Sequence, residues 1–99
     1  MYELQYSKAA ERYFKKIREK ALKSAYRTAL QAIAQNPYAG KMKTGDLAGI
    51  YGYDVYYNKT NYEIAYYIYE EDDEIVVVIM AGTRENFYDE LKRYLNHYD

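Results

Sequence analysis

The segment that most constrains the fold is Ile75–Met80 (IVVVIM), a run of apolar residues rich in β-branched side chains. A run without any polar position predicts a strand that is covered on both faces. The preceding segment, Tyr62–Tyr69, alternates with a period of two, as a strand with one buried face requires. Between them, Glu70–Glu74 is a charged connection of a length that hairpins tolerate.

The residues after this hairpin predict a strand end and a helix. Ala81-Gly82-Thr83 breaks the strand pattern, and Thr83 is a predicted N-cap for a helix whose apolar positions are Phe87, Leu91 and Leu95. Arg84 would then lie at the helix start, with Tyr88 four residues later beside it. Because an arginine at a helix start opposes the helix dipole, its position favours a functional role.

The first half of the chain predicts one strand and two helices. Tyr2, Leu4 and Tyr6 alternate with polar residues, and Ser7 is the predicted N-cap of a helix that runs to about Ile17. A second helix is predicted from about Ala21 to Gln35, and Asn36-Pro37 ends it.

A glycine-punctuated loop is predicted next, over Tyr38–Gly49, followed by a strand over Ile50–Tyr57. Gly52 within that strand predicts a bulge or a close approach of other atoms. A four-residue turn is predicted over Asn58–Asn61. The order β-α-α-β-β-β-α predicts a single α+β domain over residues 1–99, with a three-stranded antiparallel meander, a first strand that joins it, and helices packed on the sheet.

Composition excludes several classes of protein. The chain has no cysteine and a single histidine, His97, so a disulfide scaffold and a His/Cys zinc site are excluded. It has no nucleotide-binding glycine loop and no serine triad, and we expect neither a metal nor a cofactor. No apolar run approaches membrane-spanning length and the N-terminal residues lack a signal-peptide pattern, so we expect a cytoplasmic protein.

Charge is distributed unevenly along the chain. Residues 1–45 carry ten Lys/Arg and three Glu, a net charge of +7, whereas residues 46–99 carry four Lys/Arg and twelve Asp/Glu, a net charge of −8. This polarity predicts a basic surface for a polyanion or an acidic partner, although exposed helix faces are commonly charged without such a role. The sixteen tyrosines leave a similar choice between base-stacking or interface residues and ordinary half-buried strand residues.

Four residues outside the last helix are candidates for chemistry. Lys41 and Lys43 lie in the glycine-flexed loop, where they could hold phosphate oxygens or simply be solvated. Asp46 could serve as a general base, although Asp after Gly is common turn chemistry. Glu63 is expected to face solvent or to pair with a nearby cation.

Taken together, the segments resemble the RelE/ParE superfamily of toxins from bacterial type II toxin–antitoxin modules. The resemblance rests on the order and spacing of YSKAAERYFKKI, NPYAGKMK, GDLAGIYGYDV, YEIAYYIYEEDDEIVVVIMAGTRE and FYDELKRYL over essentially all 99 residues. It implies one of two activities. RelE-like members cut mRNA in the ribosome without a metal, since the 2′-hydroxyl of the message attacks the adjacent phosphate, whereas ParE-like members inhibit DNA gyrase. Both are neutralised by a cognate antitoxin.

The resemblance implies roles for particular residues. Arg84 matches the arginine that stabilises phosphate charge, and Lys41 and Lys43 match a GK-rich segment. Tyr88 is the candidate match for a tyrosine that stacks on a base or acts as the acid, although its spacing is shorter than in RelE. Other nuclease members use Glu or Asp as the general base. By that comparison, the resemblance implies that Asp46, Asp54 or Glu63 could be the base here.

Other positions depart from the nuclease pattern. Asp54 and Tyr56 stand where RelE-type nucleases carry lysines, and Glu63 stands where they carry an arginine. Losing these cations should weaken binding of RNA. We therefore expect a toxin that is a ribosome-dependent endoribonuclease, and as alternatives a gyrase inhibitor or a degenerate toxin that retains only antitoxin binding.

Overall fold

The computed structural model describes residues 1–96, and these residues form five strands and three α-helices. His97 lies outside the described residues. In chain order the elements are β1 (Glu3–Tyr6), α1 (Lys8–Lys16), α2 (Lys20–Gln35), β2 (Lys41–Met42), β3 (Ile50–Tyr57), β4 (Thr60–Tyr69), β5 (Ile75–Thr83) and α3 (Phe87–Asn96), with 3-10 turns at Pro37–Ala39 and Gly45–Leu47.

The strands form one sheet in the order β1-β5-β4-β3-β2. β3, β4 and β5 are the predicted antiparallel meander, and β1 joins it by pairing in parallel with β5. The α+β architecture and the order of its main elements are therefore confirmed. The prediction of a continuous loop over residues 38–49 is wrong, because Lys41 and Met42 pair with Gly52 and Tyr51. Two residues are too few to produce a periodic pattern in the sequence.

The first two helices cover one face of the sheet. Ser7 caps α1 as predicted, since its hydroxyl oxygen accepts a hydrogen bond from the Ala10 amide at 3.0 Å and its hydroxyl group donates to the Ile79 carbonyl. α2 ends at Gln35, before Asn36-Pro37, also as predicted. The core on this face consists of Ala10, Leu22, Tyr26, Ala29, Ile33, Val55, Ile64, Tyr66, Val76, Val78 and Ala81.

The last helix covers part of the opposite face. Phe87 and Leu91 of α3 are fully buried against Leu47, Ile50, Ala65 and Ile79. β5 therefore has packed elements on both sides, which confirms the prediction from its uninterrupted apolar run. None of the helices within residues 1–96 is long and apolar enough to cross a membrane.

The connection from β5 to α3 differs from the prediction. Gly82 pairs with Glu63 and Thr83 pairs with Tyr62, so β5 continues through the residues that were expected to break it. Thr83 is consequently a strand residue and α3 begins only at Phe87. Arg84 lies in the connection rather than in a helix, so the argument from the helix dipole does not apply to it. A small residue does not end a strand when the neighbouring strand still offers partners for its backbone groups.

The turn between β3 and β4 is shorter than expected. Tyr57 pairs with Thr60, which leaves a two-residue turn at Asn58 and Lys59. Both residues have a left-handed backbone, with φ of 50° and 62°, the conformation that matches the twist of a two-residue hairpin. This turn sets the register in which Asp54 lies opposite Glu63.

Candidate functional site

Glu63 is the centre of the candidate site and is a buried charged residue, with 1% of its surface exposed. It lies on β4 between Asp54 of β3 and Gly82 of β5, on the face that α3 covers. The expectation that it faces solvent is wrong, because α3 and the preceding connection close over this part of the sheet. The alternative expectation, that it pairs with cations, is met by two residues.

Those cations reach the two carboxylate oxygens of Glu63 from different elements. The Arg84 Nε lies 3.7 Å from Oε1, and the Lys43 Nζ lies 4.0 Å from Oε2. The Tyr88 hydroxyl, on the first turn of α3, donates a hydrogen bond to Oε2. Within residues 1–96, Oε1 is buried and accepts no hydrogen bond. Glu63 thus contacts three separate segments: Lys43 after β2, Arg84 in the connection after β5, and Tyr88 at the start of α3.

Asp54 joins Glu63, Lys43, Arg84 and Tyr88 in one cluster of side chains and extends it to the surface. Its Oδ1 lies 3.7 Å from the Arg84 Nη1, and the two side chains are 57% and 53% exposed. Arg84 therefore lies between a buried carboxylate and an exposed one. The Arg84 backbone is also held, because its amide donates to the Asn61 carbonyl at 2.9 Å.

The environment raises the pKa of Glu63 and of Tyr88, the two groups at the bottom of the site. Burial raises the pKa of Glu63 and the neighbouring Asp54 raises it further, while the Tyr88 hydrogen bond and Lys43 oppose this effect. Burial also raises the pKa of Tyr88, and its bond to Glu63 adds to the increase. Both groups consequently favour their neutral, protonated forms more than they would in water.

Gly52 provides the space in which these side chains meet. A Cβ atom on Gly52 would overlap the Glu63 Oε2 and the Tyr88 hydroxyl, and it would lie 2.9 Å from the Lys43 Cε. The predicted close approach at this glycine is confirmed. Lys43 packs above the same space, with its Nζ 4.5 Å from the centroid of the Tyr88 ring, in a cation–π contact.

The fold brings together most of the residues that the sequence singled out. Glu63, Lys43, Arg84 and Tyr88 form the cluster with Asp54. Lys41 lies at its margin, exposed on β2 and paired with Gly52.

Asp46 is not part of this cluster. It is exposed in the 3-10 turn Gly45–Leu47, as expected of an Asp in turn chemistry. The contact between Asp54 and Arg84 was not predicted. A two-residue turn at Asn58-Lys59 would have revealed that Asp54 lies opposite Glu63, whereas the expected four-residue turn gives a different register.

The cluster combines groups that can exchange protons with groups that can bind an anion. An exposed carboxylate can accept a proton, a guanidinium can bind anionic oxygens, and a phenol can donate a proton. Among residues 1–96, no group of three or more His, Cys, Asp or Glu side chains is arranged to hold a metal ion.

Comparison with solved structures identifies the fold. The chain is similar to a double arginine-to-alanine mutant of the E. coli toxin RelE in the free state, with a TM-score of 0.68 and 20% identity over 93% of this chain and 96% of that one. It is also similar to a chain of the E. coli RelBE toxin–antitoxin complex (TM-score 0.66, 19% identity, 83% and 95% covered). A third similar structure is the RelBE2 toxin–antitoxin complex of Mycobacterium tuberculosis (TM-score 0.63, 24% identity, 84% and 98% covered).

Comparison by sequence identifies the family. No curated protein matches the chain. The family model described as the ParE-like toxin of type II bacterial toxin–antitoxin systems matches residues 4–92, which include β1 except for its first residue, all of β2 to β5 and most of α3. The resemblance to RelE/ParE toxins is thereby confirmed, and the chain belongs to the family of ParE-like toxins of type II bacterial toxin–antitoxin systems.

Proposed function

We propose that this toxin is a ribosome-dependent endoribonuclease that cuts mRNA without a metal. The observation that carries the proposal is Glu63, which is 1% exposed yet lies directly beneath the open cluster of Asp54, Arg84, Lys43 and Tyr88. Burying a carboxylate is costly, and a buried group with a shifted pKa below an open polar cluster is typical of functional sites. A site of this kind can support general acid–base chemistry on RNA.

In the proposed reaction, a 2′-hydroxyl of the message attacks the adjacent phosphorus. Asp54 takes the proton of that hydroxyl, since its carboxylate is exposed at the mouth of the cluster. The bond from phosphorus to the 5′-oxygen breaks, and Tyr88 turns its O–H from the Glu63 carboxylate toward that oxygen and gives it the proton. The products are a 2′,3′-cyclic phosphate and a free 5′-hydroxyl, and water returns the proton from Asp54 to Tyr88.

The cations stabilise the charge that develops in this step. Arg84 is half-exposed and can bind the non-bridging phosphate oxygens. Lys43 stabilises the Tyr88 phenolate through its position above the ring, and Lys41, exposed at the margin, binds a flanking phosphate. The Tyr88 hydroxyl is protonated at neutral pH, as an acid must be, but its raised pKa makes it a weaker acid than a free tyrosine, so its phenolate needs the stabilisation that Lys43 supplies.

Glu63 is a positioning residue in this proposal rather than the base. Its carboxylate is covered by Lys43, Arg84 and Tyr88 and does not reach the surface where RNA would bind. Its hydrogen bond orients the Tyr88 hydroxyl, and its ion pair fixes the position of the Arg84 guanidinium. Asp46 has no role in the proposed reaction, because its turn lies outside the cluster.

We further propose that a cognate antitoxin neutralises this protein. Two of the similar structures, one from E. coli and one from M. tuberculosis, are the RelBE and RelBE2 toxin–antitoxin complexes, which supports a partner of the same kind. The +7 net charge of residues 1–45 favours an acidic or amphipathic antitoxin segment. In the proposed activity, the other partners are the ribosome and its mRNA.

The test is mRNA integrity in a cell-free translation reaction, with mapping of 5′ ends. The wild-type protein should cut only translated message, in step with codons. Arg84→Ala should lower the cleavage rate roughly 100-fold or more, the usual cost of losing one donor to transition-state charge. The matched control is Arg93→Ala, which removes an exposed arginine from the last turn of α3. Undiminished cleavage by Arg84→Ala would refute its role.

A ParE-like inhibitor of DNA gyrase is the second candidate, and the charges of the cluster favour it. Arg84 is paired with Asp54 and Glu63, and Lys43 is paired with Glu63, so the site has little excess positive charge for phosphate. Intact message with normal translation would exclude the nuclease. A gyrase supercoiling assay would then separate an inhibitor from a degenerate toxin.

A further inference from the structure

Tyr56 is the most exposed tyrosine among residues 1–96, with 68% of its surface accessible. Its ring stacks on no other aromatic ring within these residues, and its hydroxyl has no hydrogen-bond partner there. Most other tyrosines of the sheet contribute to a core or to hydrogen bonds; Tyr66, for example, is fully buried and bonds to the Pro37 carbonyl. Burial therefore does not explain a large aromatic side chain at position 56.

The position of Tyr56 relates it directly to the candidate site. It follows Asp54 by two residues on β3, so the two side chains lie on the same face, about 6.5 Å apart along the strand. Its cross-strand neighbour is Asn61, whose carbonyl accepts the hydrogen bond from the Arg84 amide. Tyr56 thus stands immediately beside the Asp54–Arg84 pair.

The sheet edge next to Tyr56 is open. β2 pairs only with Tyr51 and Gly52, so within the described residues no strand pairs with the outer edge of β3 from Tyr53 to Tyr57. Lys41, opposite Gly52, shares the face of Asp54 and Tyr56. An extended chain could therefore pass from the lysines of this edge, over Asp54 and Arg84, to the ring of Tyr56.

We propose that Tyr56 is a stacking platform for one unpaired base of single-stranded RNA. This base would lie next to the phosphate at which Asp54 and Arg84 act. This inference rests on the proposed nuclease function and adds a substrate-binding residue to it. An exposed phenol ring offers a flat apolar surface, and stacking on such a ring tolerates any base sequence. The ring, not the hydroxyl, supplies the binding energy.

The test uses Tyr56→Trp, because the chain contains no tryptophan and the new indole would be the sole one. The ligand is a single-stranded 2′-O-methyl RNA oligonucleotide, which lacks the free hydroxyl needed for cleavage. Stacking of a base should quench the indole fluorescence on titration. The matched control is Tyr38→Trp, a 52% exposed position in the turn before β2 whose ring contacts Tyr51 rather than the site.

A second measurement separates the ring from the hydroxyl. Tyr56→Ala should weaken binding of the labelled oligonucleotide roughly 5- to 150-fold, the range expected for loss of one stacked base. Tyr56→Phe should bind like the wild type. Equal binding by Tyr56→Ala and the wild type would overturn the proposal.

The fluorescence titration has three outcomes. Quenching of the indole at position 56 by the single strand, but not by the same strand in a duplex, supports stacking. Absent quenching, or equal quenching at position 38, overturns it. Quenching by the antitoxin but not by RNA also overturns it and assigns Tyr56 to the protein interface. Since no ribosome and no cleavage are needed, a failure here is distinct from intact message in the translation assay, which would count against the nuclease function.

Discussion

Replacing Gly52 by alanine should destabilise the protein through the candidate site. The added methyl group would overlap the Glu63 Oε2 and the Tyr88 hydroxyl and would lie 2.9 Å from the Lys43 Cε. Glu63 has little room to retreat, because it is buried between two neighbouring strands under α3. The alternative is to move α3 and its Tyr88, which would break the hydrogen bond to Glu63 and leave a buried carboxylate less well satisfied.

The expected magnitude follows from two opposing effects. Overpacking of this kind costs about 1–3 kcal/mol. Alanine also restricts the unfolded chain, which returns about 0.4–1 kcal/mol. A net loss of about 1–2 kcal/mol in a domain of this size lowers Tm by roughly 4–16 °C.

The assay is thermal unfolding followed by circular dichroism, with Gly82→Ala as the matched control. Gly82 lies on the neighbouring strand β5, paired with Glu63, and the nearest atom to an added Cβ would be the Phe87 Cδ1 at 4.0 Å. This substitution meets only ordinary van der Waals contact, so its Tm should stay close to that of the wild type or rise. If Gly52→Ala is as stable as Gly82→Ala, the crowding argument at the site is refuted.

Three further substitutions test the turn and the titratable groups by urea unfolding. Lys59→Gly should stabilise the protein by about 0.5–1 kcal/mol, because Lys59 has φ of 62° and glycine adopts this conformation without steric cost; an unchanged urea midpoint would contradict this. Glu63 has a raised pKa when folded, so its contribution falls as pH rises above the ordinary value of 4.5, and Glu63→Gln should remove that slope. Glu70 has a pKa lowered by bonds from Tyr2 and Tyr38, so its contribution is lost as pH falls below 4.5, and Glu70→Gln should remove the opposite slope. Unchanged slopes in both variants would refute the two assignments.

The elements with regular patterns could be predicted from the sequence alone. The apolar run of β5 and the alternation of β4 predicted two central strands, and Ser7 and Asn36-Pro37 predicted where α1 begins and α2 ends. These features depend on local chemistry, in which burial, capping and restricted backbone angles act over a few neighbouring residues.

The predictions of strand bounds were wrong where pairing with another strand determined whether a strand forms or where it ends. β2 exists because Tyr51 and Gly52 offer backbone partners to Lys41 and Met42, and β5 extends to Thr83 because β4 continues beside it. Backbone groups pair wherever partners are available, so strand ends depend on neighbours that are distant in the sequence.

The sequence by itself determined the α+β class, the order of the main elements and the residue types from which a site could be built. The tertiary structure decided how those residues meet. The two-residue turn at Asn58-Lys59 places Asp54 opposite Glu63, and closure of α3 over the sheet buries Glu63 and brings Tyr88 to it. Register and helix docking depend on the summed packing of the whole domain rather than on any local pattern, and for that reason only the folded chain reveals the cluster around Glu63.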